Sequence, residues 1–177
     1  VENISKSFGD RKLFEALHFG LAEGQKMALI ARNGTGKTTL LEILAGREQA
    51  DTGRVTYRKG IKLGYLPQEP ELDDDKSILD NVLDVENAAT KAVRNYEEAL
   101  SYPGDAERYQ KAFDEMELQG AWDFEAQVKQ VLGVLGLHET HQKVKELSGG
   151  QKKRVALART LISQPDLFSF FPYRYLK

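Results

Sequence analysis

A glycine loop wedged between an apolar run and a helix pattern narrows the folds open to this chain more than any other stretch of it. Lys26 to Ala31 (KMALIA) is a short apolar run of the kind that forms a strand buried on both faces. Gly34 and Gly36 follow at once. Thr38 to Ala45 (TTLLEILA) then reads as a helix, and Gly46 stands where a glycine commonly stops one. Glycines in such a loop let the backbone curl until successive N–H groups face one point, which makes a cradle for an anion. The helix that begins near Lys37 adds the positive end of its dipole to that point.

Read whole, Ala31-Arg32-Asn33-Gly34-Thr35-Gly36-Lys37-Thr38-Thr39 has the spacing and the strand–loop–helix context of a Walker A loop. Asn33, Gly34, Thr35, Gly36, Lys37, Thr38 and Thr39 are its candidate ATP-binding residues. Lys37 is expected to reach the β- and γ-phosphates, and Thr38 to offer its hydroxyl to Mg²⁺. One position departs from the pattern: Ala31 stands where glycine is usual. Alanine is expected to be tolerated if its φ is negative and strained if it is positive.

Around the loop, Val1 to Phe8 and Leu13 to Leu21 alternate roughly as strands, with Gly9-Asp10 as the turn between them. Asp51-Thr52-Gly53 reads as a turn, and Arg54 to Tyr57 and Ile61 to Leu66 as two further strands. From Lys76 to about Leu137 the pattern becomes helical. Ser77 and Asp105 are expected caps, Tyr102-Pro103-Gly104-Asp105 is a break, and Val128, Leu132 and Leu135 recur at helical spacing. A last helix is expected from about Gly150 to Ile162.

Composition closes off several function classes. There is no cysteine, so disulfides and thiolate metal sites are excluded, which fits a reducing cytosol. Lys and Arg number 25 against 27 Asp and Glu, a net charge of −2 that gives no whole-domain pull on nucleic acid or acidic membranes. No apolar run is long enough to span a bilayer, and no signal peptide opens the chain. It starts at Val1 without a methionine, so earlier residues are expected to be missing. His18, His138 and His141 lack a third ligand at metal spacing and read as structural or exposed.

A second motif, Leu147-Ser148-Gly149-Gly150-Gln151, opens the helical run KKRVALAR. As local structure it reads as a capping box, with Ser148 and Gln151 three residues apart. A capping box does not explain two consecutive glycines, which lower helix propensity. Bare backbone N–H groups that must approach an anion would explain them.

Paired in this order, the two motifs resemble those of ABC ATPases, over about residues 1–167. Phe8 stands where that family places an aromatic that stacks on adenine, although it also suits a core position. Gln68, in LGYLPQ, matches the glutamine that touches Mg²⁺ and the attacking water, although a solvated loop would hold a glutamine as well. The resemblance implies an α/β fold: a P-loop NTPase (RecA-like) core with an antiparallel β subdomain and a helical subdomain. Residues 1–68 would supply part of the core and the β subdomain, 69–145 the helical subdomain, 146–167 the signature and its helix, and 168–177 an atypical tail. Ser148, Gly149, Gly150 and Gln151 would contact ATP held by a second module, packed head to tail in the same chain or a dimer.

GAWDFE at 120–125, then VKQVLGVLGL and VKELSGGQKKRVALARTLI, is most similar to the first module of the ABC-F branch. Those proteins are cytoplasmic, carry no membrane domain, and in many cases act on the ribosome. The alternative is the ATP-binding subunit of a membrane transporter, whose partner would be a membrane domain. The family pattern also calls for an Asp-Glu pair where Phe171 and Pro172 stand. The chain is therefore expected to bind ATP but barely hydrolyse it, as a module incomplete at its C-terminus. The tail beyond Leu167 is expected not to be native, and loss of the strand that bears those carboxylates is expected to expose apolar surface.

Overall fold

The computed structural model describes residues 1–84 and 88–170. They fall into two compact units, one of residues 1–65 with 166–170 and one of 66–84 with 88–165.

The first unit is built on a hairpin. Strands β1 (Glu2–Phe8) and β2 (Arg11–Leu17) pair antiparallel, with Phe8 opposite Arg11 across the Gly9-Asp10 turn. Strand β3 (Thr52–Arg54) pairs antiparallel with the other edge of β1, giving the order β2-β1-β3. Strand β4 (Leu63–Leu66) pairs with β5 (Leu167–Phe170) in a separate two-stranded sheet. Helix α1 (Lys37–Leu44) buries Leu40 and Ile43 against Ile4 of β1, and Phe14 and Leu17 of β2 pack on that cluster.

Three expectations are corrected here. Lys26 to Ala31 forms no strand, and its residues are exposed, Ile30 at 94%. A strand exists only as part of a ladder with at least one neighbouring strand. No described strand pairs with this segment: the two sheets run β2-β1-β3 and β4-β5. Met27 and Leu29 instead line an apolar cavity of about 580 Å³ with Leu41, Leu44, Tyr57 and Phe168. Second, Asp51-Thr52-Gly53 is not a free turn. Thr52 and Gly53 belong to β3, which stops at Arg54, so the strand expected over Arg54 to Tyr57 keeps only its first residue. Third, a strand does form at the start of the atypical tail: Leu167–Phe170 is β5, tied to Lys62 through the Asp166 side chain and backbone. Phe171 and Pro172 lie outside the described residues.

The second unit is helical. Ser77 caps α2 (Ile78–Val82) by accepting from the Asp80 N–H, and Asp105 caps α4 (Ala106–Gln119) by accepting from the Arg108 N–H. Helix α3 (Ala88–Leu100) forms a hairpin with α4, and α5 (Trp122–Val134) follows. A single 3-10 turn, Val144–Glu146, leads into α6 (Gly149–Ile162), which packs on α2 and α5. Val82, Leu83, Val93, Met116, Val128, Val144 and Val155 form a continuous core through these helices. Buried Asn81 clamps the approach to α2: its amide donates to the Asp73 and Ser77 carbonyls, and its oxygen accepts from the Asp73 N–H. None of the helices among the described residues is long and apolar enough to cross a membrane.

Candidate functional site

The glycine loop sits in the first unit at the start of α1. Gly34 and Gly36 have φ of +79° and +88°, a left-handed backbone that side chains rarely adopt. Gly36 is the N-cap of α1, and no side chain bonds the first turn there, so its N–H groups are left for another partner. Ala31 has no positive φ, so it sits in the loop without strain. The Lys37 ammonium folds back over the loop and donates to the carbonyls of Ala31 (2.8 Å) and Arg32 (2.7 Å). Thr35 Oγ1 donates to the same Arg32 carbonyl. Among the described residues Lys37 meets no carboxylate, so its charge is not neutralised.

These features suit a polyphosphate. Free N–H groups at a helix start, an unneutralised ammonium and glycines that bring bare backbone close all favour bound negative charge. Asn33 is exposed at the loop tip, while Thr38 and Thr39 are half-buried in the first turn of α1.

Sequence reading missed what holds the loop. Arg11, at the start of β2, donates to the Gly34 carbonyl at 2.8 Å. Leu13 and Phe14 press against Gly36, where a Cβ would come within 2.9 Å of Leu13 Cβ and 3.2 Å of Phe14 Cδ1. The β1–β2 hairpin is therefore the seat of the loop. Phe8, at its turn end, is 55% exposed, which sets it apart from the core. Lys6, two residues earlier on the same strand face, is by contrast 8% exposed. Its ammonium donates to Glu48 Oε1 and the Gln49 carbonyl, both at 2.8 Å, and lies 5.3 Å from the Phe8 ring centre. The hydrogen bond with Glu48 raises the Lys6 pKa, and the same bond holds the Glu48 carboxyl below its usual range. The Lys-x-Phe spacing was the only signal of this arrangement in the sequence.

Gln68 and the Leu147–Gln151 motif belong to the second unit. Gln68 is exposed just after β4. The capping box expected at α6 is present: Ser148 Oγ accepts from the Gln151 N–H, and Gln151 Oε1 accepts from the Ser148 N–H at 2.9 Å. Gly149 and Gly150 are exposed, neither has a positive φ, and a Cβ on either would meet nothing within 4 Å. Neither local packing nor backbone conformation requires glycine there. Lys152, in the same turn, is held by Asp74 at 2.6 Å.

Comparison with known proteins places the chain in a family. The family model for ABC transporter matches residues 14–170. The chain is 40% identical over 174 residues to YfmR of Bacillus subtilis, an uncharacterized ABC transporter ATP-binding protein, covering 94% of this chain and 28% of that one. It is 30% identical over 173 residues to the energy-dependent translational throttle protein EttA of Mycobacterium tuberculosis, covering 94% and 31%. It is also 30% identical over 167 residues to the zinc import ATP-binding protein ZnuC of Photobacterium profundum, covering 94% and 52%. The chain thus spans under a third of YfmR and of EttA. A solved structure described as an inward-facing metal-chelate type ABC transporter matches in fold, with a TM-score of 0.62 at 24% identity over 99% of this chain and 60% of that one. On the family match over residues 14–170 and on these relatives, the chain belongs to the ABC transporter family as an ATP-binding domain.

Proposed function

We propose that this chain is an ATP-binding module of an ABC-F-type ATPase, which couples ATP binding and hydrolysis to conformational change on the ribosome, in the cytoplasm. The observation that carries the nucleotide site is the unneutralised Lys37 ammonium over a loop with two left-handed glycines at the start of α1. Asn33 to Thr39 would hold the phosphates and Phe8 the adenine. Thr38 and Gln68 would hold Mg²⁺, which when bound offsets phosphate charge. Ser148, Gly149, Gly150 and Gln151 would face the ATP of a second module. The open space at Gly149 and Gly150 supports that role. Residues 1–68 are read as core and β subdomain, 69–145 as helical subdomain and 146–167 as the signature segment.

The choice of branch rests on the 40% identity to YfmR and on the likeness to EttA, a translational throttle by name. A transporter subunit is the second reading, favoured by ZnuC, of which the chain covers 52% against 31% of EttA. Phe171 and Pro172 stand where a carboxylate pair would position water, so this chain should bind ATP and barely turn it over.

The test is threefold. A fluorescent ATP analogue should bind the chain with Mg²⁺ and not bind Lys37→Ala; equal binding by both would refute the loop assignment. Purified chain should release negligible phosphate, and robust Mg²⁺-dependent release would refute the inactivity. The native full-length protein should co-sediment with ribosomes, whereas recovery with membranes would select the transporter reading.

A further inference from the structure

Lys6 is a buried cation with more partners than a strand position needs. Besides Glu48 and the Gln49 carbonyl, it lies 3.4 Å from Asp51 Oδ1. The neighbouring backbone is pinned to the same segment, since Ser7 N–H donates to Asp51 Oδ2 at 2.7 Å and Asp51 N–H to the Ser5 carbonyl at 2.9 Å. That segment leaves the far end of α1, whose near end carries the glycine loop. At the loop, Arg11 ties β2 to Gly34. The hairpin is therefore fastened to the loop–helix element at two points, and Phe8 lies on the strand between them.

We propose that Lys6 is a positioning residue for the adenine of ATP: held by Glu48, Gln49 and Asp51, its ammonium anchors the Phe8 ring at a fixed place relative to the phosphate loop. The proposal rests on the reading above, in which the loop holds ATP and Phe8 stacks on its base. Lys6 also lies over the ring, so the cation restrains an aromatic that is otherwise more than half exposed. A ring kept in place loses less rotamer freedom when a base stacks on it, which is how preorganisation raises affinity. A lysine that served only to fasten β1 would affect every ligand of the unit alike. One that positions Phe8 affects only ligands carrying a base.

The experiment compares ATP with inorganic tripolyphosphate, both with Mg²⁺, by calorimetric titration of the full chain. Lys6→Met should weaken ATP binding about three- to tenfold, the range expected for losing a cation–aromatic contact and its restraint. Tripolyphosphate affinity should stay within about twofold, because the loop contacts are untouched. Lys6→Arg should restore ATP binding. In a Phe8→Ala background, Lys6→Met should have no further effect on ATP. Equal weakening of both ligands, or undiminished ATP binding by Lys6→Met, would overturn the role of Lys6 while leaving the loop assignment standing. A parent chain that binds neither ligand would refute the loop assignment, and the inference with it.

Discussion

Replacing Gly36 by alanine tests the seat of the loop directly. At φ +88° an L residue is strained by about 1–2 kcal/mol. The added Cβ would also lie 2.9 Å from Leu13 Cβ and 3.1 Å from Leu13 Cδ1. Leu13 Cβ is fixed to the β2 backbone and cannot rotate away, unlike the Phe14 ring edge. Relieving that overlap by backbone shift adds about 1–3 kcal/mol. The sum, about 2–5 kcal/mol, should lower the melting temperature by roughly 4–20 °C at about 2–4 °C per kcal/mol for a chain of this size. Gly150→Ala is the control, since its Cβ meets nothing and its φ is not positive. An alanine near the start of α6 should leave the melt unchanged or raise it slightly, by at most about 1 kcal/mol. Thermal melts followed by far-UV circular dichroism on both variants decide the matter. If Gly36→Ala melts with the parent, or if Gly150→Ala is the more damaging, the argument from backbone angle and contact is wrong.

The remaining predictions concern the sheet and the acid limb of stability. Gly53→Ala should be worse than Gly36→Ala, by more than about 3 kcal/mol, because its Cβ would lie 2.3 Å from the Asn3 carbonyl oxygen, a backbone atom with no rotamer to change. Slower amide exchange in β1 of this variant than in the parent would contradict it. Glu48 and Asp75 are each held below their ordinary values of 4.5 and 3.8, first by hydrogen bonds from Lys6 and Lys145 respectively. The unfolded chain therefore binds these protons more readily than the folded one. The stabilisation is present above the ordinary values and fades as pH falls through the lower, folded ones. Melts from about pH 6 down to about pH 3 should fall in that window, and Glu48→Gln should flatten part of the fall. A melting temperature that rises on acidification would contradict the assignment.

Much of the candidate site was legible from the sequence because its devices are local. The capping box joins Ser148 to Gln151, three residues away, and the loop reaches α1 within a few residues. The caps at Ser77 and Asp105 close over the same short span. Contacts of that reach depend on neighbouring residues alone, so spacing and residue type suffice to read them. The misreadings lie where a partner is remote. KMALIA is apolar enough to be a strand, but a strand is a pairing, and no described strand takes it as a neighbour. Gly53 looked like a turn residue because glycine favours turns. Its conformation is set instead by β1, with Arg54 paired to Glu2 across 52 residues.

The chain alone thus determined the left-handed turns of the glycine loop, the capping box at α6 and the helix caps, since each is a matter of backbone angle or short-range hydrogen bonding. Tertiary structure decided which strands pair, what braces the loop, and where the charge of Lys6 goes. Its partners Glu48, Gln49 and Asp51 lie more than 40 residues away, and no local pattern selects among the many carboxylates a lysine could have met.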